Sequence, residues 1–162
     1  MYLEMTVFGF TIDALANRPV VILKDAKGVN SVPIWLSTTE ALAIAAELIL
    51  SDSGRKDLMT QLMAQTATEI GAVVIEGYHD GAFEALVKFL RNGEEVSVVV
   101  RPCEAIAAAL KFKMPLMVAE EVVARASVLA MSDEEFAREN NARRFTEYLE
   151  NLDPATLGKY PM

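Results

Sequence analysis

The chain has 162 residues, 52% of them hydrophobic, and carries 15 Lys and Arg against 23 Asp and Glu for a formal net charge of −8. A chain of this length can bury about 68–70% of its unfolded surface in one domain, so it needs no covalent staple, and its one cysteine excludes an intrachain disulfide and points to a reducing, cytoplasmic compartment. The acidity argues against a protein specialised for gripping phosphate backbones, because that affinity comes from clustered Lys and Arg that displace counterions.

Met1 to Phe10 lacks a basic leader region, and no run of about 18 apolar residues exists, so neither a secretory signal nor a membrane span is expected. Tyr2 to Ile12 alternates polar with apolar residues and is rich in Phe, Val and Thr, which predicts a strand. Asn17-Arg18-Pro19 marks a turn, Val20 to Lys24 a second strand, and Asp25-Ala26-Lys27-Gly28 a hairpin turn. A third strand over Asn30 to Leu36 contains Pro33, which cannot donate to a ladder and so predicts an edge or a bulge. Trp35 alternates with Ile34 and Leu36 there and reads as a core or subunit-interface aromatic on the opposite face. The period then changes to that of a helix from Thr39 to Leu50, and a second helix is expected to carry Leu58, Met59, Leu62, Met63 and Ile70.

The second half repeats the plan: strands over Ala72 to Tyr78, Phe83 to Leu90 and Glu95 to Val100, with turns at His79-Asp80-Gly81 and Arg91-Asn92-Gly93, then a helix from Pro102 to about Phe112. Sliding the chain against itself by 64 residues lays Val20 to Ala46 on Glu84 to Leu110. Lys24, Val32, Glu40, Ala41, Ala43 and Ala45 then meet identical residues at Lys88, Val96, Glu104, Ala105, Ala107 and Ala109. Turn, strand and helix start coincide at one offset, so the fold expected is α+β, with duplicated β-β-β-α units over about 7–50 and 71–113. These units would form a mostly antiparallel sheet packed against helices. Met114-Pro115 stops a helix, and Val118, Val122, Val123, Ala126 and Leu129 outline another. The expected domain spans 1–130. Ser132 with Glu135 has capping-box spacing and opens a charged C-terminal helical tail over 131–162.

Two helix starts draw attention. Ser37-Thr38-Thr39-Glu40 is a capping box in which Ser37 accepts from the amide of Glu40 while Glu40 returns to the amide of Ser37. Its counterpart is Arg101-Pro102-Cys103-Glu104, where proline suits the first helical position and Glu104 gains from the helix dipole. A thiol at a helix start can be activated, but the one histidine, His79, falls in a turn, so Cys103 reads as buried and inert rather than half of a Cys-His pair. No phosphate-cradling Gly-rich loop and no Cys/His metal spacing is present.

Read together, several blocks resemble the bifunctional nuclease domain family from about Met5 to Ala126. They are Val32-Pro33-Ile34-Trp35-Leu36, Glu40-Ala41-Leu42-Ala43-Ile44, Asp57-Leu58, Asp80-Gly81-Ala82-Phe83 and Arg101-Pro102-Cys103-Glu104-Ala105-Ile106-Ala107. The resemblance implies a homo-oligomer of duplicated units and a family name earned by DNase and RNase activity in a plant relative. Where members typically read Arg-Pro-Ser-Asp, this chain has Cys103 and Glu104, and where they typically read Thr-His-Asp-Leu it has Arg55 and Lys56 before Asp57. The first reading is metal-assisted hydrolysis of phosphodiester bonds in DNA or RNA. Glu40, Asp57 and Glu104 would be the catalytic acids, holding Mg²⁺ or Mn²⁺ and orienting water, and Arg55, Lys56 and Arg101 would meet phosphate oxygens. The competing reading is a non-catalytic, oligomeric binding or regulatory module, which predicts that the three acids lie apart, each engaged in a cap.

Overall fold

Two short turns shape the sheet. In the computed structural model, which describes residues 1–14, 16–50 and 57–126, Asp80 and Gly81 take φ of 50° and 81° and Asn92 and Gly93 take 51° and 80°. Two consecutive left-handed residues make the hairpin turn whose twist matches that of its strands. They join β4 (Thr68–His79), β5 (Ala82–Arg91) and β6 (Glu94–Val100) into a meander. The first unit is the same meander of β1 (Tyr2–Asp13), β2 (Arg18–Asp25) and β3 (Ser31–Trp35), followed by helix α1 (Thr38–Leu50). Its second turn is held by the Asp25 carboxylate, which accepts from the amides of Val29 and Asn30 and from the Asn30 side chain. Helix α2 (Leu58–Gln65) links the units, and α3 (Pro102–Lys111) closes the second.

Seven strands form one sheet in the order β3-β2-β1-β7-β4-β5-β6, where β7 is Leu116–Ala119. The order is palindromic about β7, which runs antiparallel to β1 and parallel to β4, the one parallel pairing among the described residues. The α+β fold of duplicated β-β-β-α units is therefore present. At an offset of 64, β2, β3 and α1 fall on β5, β6 and α3, whereas β1 falls on β4 at 66 because the first hairpin connection, 14–17, is two residues longer than 80–81.

Two expectations are corrected. Ile70 is not in the second helix: α2 ends at Gln65, Ala67 reverses the chain with φ of 50°, and Ile70 sits in β4 opposite Phe89. Val118 does not open a helix but lies in β7, and helix begins at 120 and continues to 126, where the described residues end. The Ser132 capping box and the tail of 131–162 lie outside the described residues.

The core gathers one face of the sheet, with Val21, Leu23, Val32, Ile34, Val73 and Ile75 buried, against Ile44 of α1 and Ile106 of α3. Helix α3 buries Cys103, Ala105, Ala108 and Ala109, small side chains that let α1 approach it. The two helices run side by side in the same direction: their first turns meet where Cys103 bonds Glu40, and two turns on Lys111 pairs with Glu47 at 3.5 Å. Helix α2 rests on β4 and buries none of its side chains. Among the described residues no helix is long and apolar enough to cross a membrane.

Candidate functional site

The parallel packing of α1 and α3 brings their starts together. At α1 the amide of Glu40 donates to Ser37 Oγ at 3.2 Å, and the Ser37 hydroxyl, rather than its amide, donates to Glu40 Oε1 at 3.1 Å. At α3 the Arg101 amide donates to Glu104 Oε2 at 2.9 Å and its guanidinium donates to Oε1 at 3.3 Å. Arginine carries donors only, so its side chain supplies no acceptor to the helix as Ser37 does. The Arg101 amide and then its guanidinium hold the Glu104 carboxyl below the usual range, and Glu104 in turn raises the Arg101 pKa.

Cys103 follows the expectation of a buried thiol. It is 5% exposed, and burial, then the neighbouring Glu40 carboxylate, pushes its pKa up. His79 stands exposed at the end of β4, 4.0 Å from Glu84, so the thiol faces an acid rather than a base.

Asp57 lies elsewhere. It caps α2, accepting from the Thr60 amide at 2.9 Å, and it pairs with Lys111. The Lys111 ammonium, then the Thr60 amide, holds its carboxyl well below the usual range. Burial works to lower the Lys111 pKa, but the bonds to Asp57 and Glu47 outweigh it and the net shift is upward. Lys111 follows Glu104 by seven residues on α3, which at 1.5 Å per residue places Asp57 about 10 Å along the helix from the paired starts. Arg55 and Lys56 lie outside the described residues.

Beside the helix starts opens a cleft of about 480 Å³, walled by Trp35, Tyr78, Phe83 and Pro102, with Asp13, Arg18 and Glu40 supplying charge. Trp35 is half-buried and donates through Nε1 to Asp13 Oδ2 at 2.7 Å. Tyr78 and Phe83 meet with ring centroids 4.7 Å apart and their planes tilted by 50°, and the Arg125 guanidinium donates to the Tyr78 carbonyl at 3.1 Å. Reading the sequence missed Asp13, Arg18 and Tyr78, because they assemble from two hairpins that no local spacing connects.

The sequence profile of the bifunctional nuclease domain matches residues 21–131, more than half of the chain. The chain belongs to the bifunctional nuclease domain family. Two Mycobacterium tuberculosis proteins, an uncharacterized protein of strain CDC 1551 / Oshkosh and one of strain ATCC 25618 / H37Rv, are each 34% identical to it over 159 residues. Those alignments cover 93% of this chain and 95% of each relative.

This bifunctional nuclease domain does not offer Mg²⁺ or Mn²⁺ a ready site among its described residues. Hard cations need several oxygen ligands converging on one point. Asp57 is occupied by an ammonium, both Glu104 oxygens accept from Arg101, and Glu40 accepts from Ser37 and Cys103. No three of the described His, Cys, Asp and Glu side chains group as a metal would require.

Proposed function

We propose that this bifunctional nuclease domain works as a non-catalytic, cytoplasmic binding or regulatory module. One observation carries the reading: Glu40, Asp57 and Glu104 are each engaged in holding a helix start, and Asp57 is additionally paired with Lys111 some two turns from the others. Lys56 supports it as well, since a permanent cation replaces the histidine of the family pattern. The cleft fits the binding role, with aromatic walls for an apolar body and Arg18 and Glu40 as polar contacts.

Family membership favours a second reading, metal-dependent cleavage of DNA or RNA, with Glu40 and Glu104 at the helix starts and Arg101 beside them to meet phosphate. One experiment separates the two. The full chain is incubated with single-stranded DNA and with RNA in Mg²⁺ or Mn²⁺, with and without chelator, beside an Asp57→Asn, Glu104→Gln double variant. No chelator-sensitive cleavage above that of the variant is expected. Metal-dependent cleavage by the wild type that the variant lacks would overturn the binding-module reading.

A further inference from the structure

The duplication supplies an internal comparison for the outer strand β6. Its residues Val96, Val98 and Val100 lie opposite Phe89, Val87 and Ala85 of β5, the last two of which are buried, so this row continues the core face of the sheet. The equivalent first-unit residues Val32, Ile34 and Leu36 are 0%, 1% and 1% exposed. Val96 and Val98 are 53% and 43% exposed, and Val99 on the other face is 82% exposed. The row is thus buried throughout in one unit, while in its copy Val96 and Val98 are bare and Val100 is partly buried against the core.

The two sheet edges differ in the same sense. Strand β3 has five residues and carries Pro33 at its centre, which offers no N–H to a newcomer. Strand β6 has seven residues without proline, glycine or lysine, and among the described residues it pairs with β5 alone. An apolar edge of that kind is a template for strand addition.

We propose that β6 pairs antiparallel with β6 of a second copy of this chain, about a two-fold axis at Val98, joining two sheets into one. The charge order of the strand selects this occupant. Glu94 and Glu95 stand at its start, and Arg101, still in extended conformation, stands just past its end. Centring on Val98 sets Val96 opposite Val100 and Ser97 opposite Val99, and it sets Glu95, which pairs with Lys88 of its own chain at 3.2 Å, opposite Arg101 of the second copy, which pairs with its own Glu104 at 3.3 Å, so that an acid-base contact at each end joins two existing ion pairs. Residues opposite each other share a face, so the two valine rows merge into one apolar strip continuous with both cores. This pairing does not depend on whether the chain cuts nucleic acid.

The test is sedimentation equilibrium of the full chain over a concentration series, with hydrogen exchange read at β6. A particle of twice the 17.7 kDa chain mass is expected, with β6 amides protected as the dimer forms. Val98→Lys, which sets two ammonium groups at the axis, is expected to sediment as one chain with the far-UV circular dichroism of the wild type and a cooperative melt, lower than the wild type's by the stabilisation that association adds. Should that variant fail to fold, Glu95→Lys is expected to raise the dimer dissociation constant about tenfold through two like-charge contacts. A monomer with freely exchanging β6 amides would overturn the proposal. So would a monomer with those amides protected, which would mean that residues 127–162 of the same chain cover the edge, and so would a dimer indifferent to both substitutions.

Discussion

Substituting Asp57 separates a structural carboxylate from a metal-holding one. Asparagine keeps an acceptor for the Thr60 amide but loses the charge that faces Lys111, and alanine loses both. Losing an N-cap costs about 1 kcal/mol. The Lys111 and Asp57 side chains are 24% and 22% exposed, so their bond is partly screened and contributes about 1 kcal/mol. Lys111 retains Glu47 at 3.5 Å, so no buried charge is stranded. Asp57→Asn should therefore cost about 1 kcal/mol and Asp57→Ala about 2 kcal/mol, lowering Tm by about 2–4 °C and 4–8 °C for a chain of this size. Circular-dichroism melts at neutral pH, with and without millimolar Mg²⁺ or Mn²⁺, measure both quantities. No metal-dependent rise in wild-type Tm is expected. An Asp57→Asn variant that melts with or above the wild type, joined to a metal-induced rise that only the wild type shows, would mean that the carboxylate is held ready for a cation and the capping argument is wrong.

Acid should reveal the same carboxylates. Asp57 and Glu104 have folded pKa values below their ordinary 3.8 and 4.5, so their stabilisation is complete above those values and is lost as pH falls through the lower folded ones. Urea midpoints from about pH 5 downward should fall less steeply in the Asp57→Asn, Glu104→Gln variant, and parallel curves would contradict the assignment. Cys103 should react with a thiol reagent far more slowly in the native chain than in denaturant, because burial and Glu40 disfavour the thiolate; equal rates would place it at the surface. Ile44→Ala, at a fully buried site, should cost about 2–5 kcal/mol in urea unfolding, whereas Leu42→Ala, 48% exposed on the same helix, should cost well under half of that; similar losses would mean that the core face of α1 is misassigned.

Local chemistry made most of the fold legible. Alternating strands closed by Asp80-Gly81 and Asn92-Gly93 carry their pairing within a few residues, and Pro33 does mark an edge strand. What failed was non-local. β7 has four residues, and Val118, Val122 and Ala126 fit a helical face as well as Leu116 and Val118 fit a strand. Its strand identity comes from the slot between β1 and β4, which pairs it on both sides. Ile70 was likewise drawn into a helix by its spacing from Met63, though Thr66 and Thr68 between them favour extended chain. At the helix starts the residue types announced caps, but that α1 and α3 run together, so that Cys103 meets Glu40 across the two units, is a property of packing.

The copies diverge at the cleft as well as at the sheet edges. Both first hairpins reach it, since Asp13, Ala16 and Arg18 of one and Tyr78, Gly81 and Ala82 of the other line its walls. At equivalent places the first unit sets Asp13 opposite Arg18, while the second sets His79 opposite Ala82 across a turn two residues shorter. Equivalent cap positions diverge too: Ser37 is donor and acceptor, Arg101 donor only, so Glu104 closes on its own helix while Glu40 also meets the other unit through Cys103. A duplicated scaffold has thereby acquired a first-unit wall that carries charge beside Trp35 and a second-unit wall that is aromatic without charge. Any ligand the cleft takes would be oriented by that difference, an anionic group toward Arg18, a donor toward Glu40 and its apolar body toward Tyr78 and Phe83.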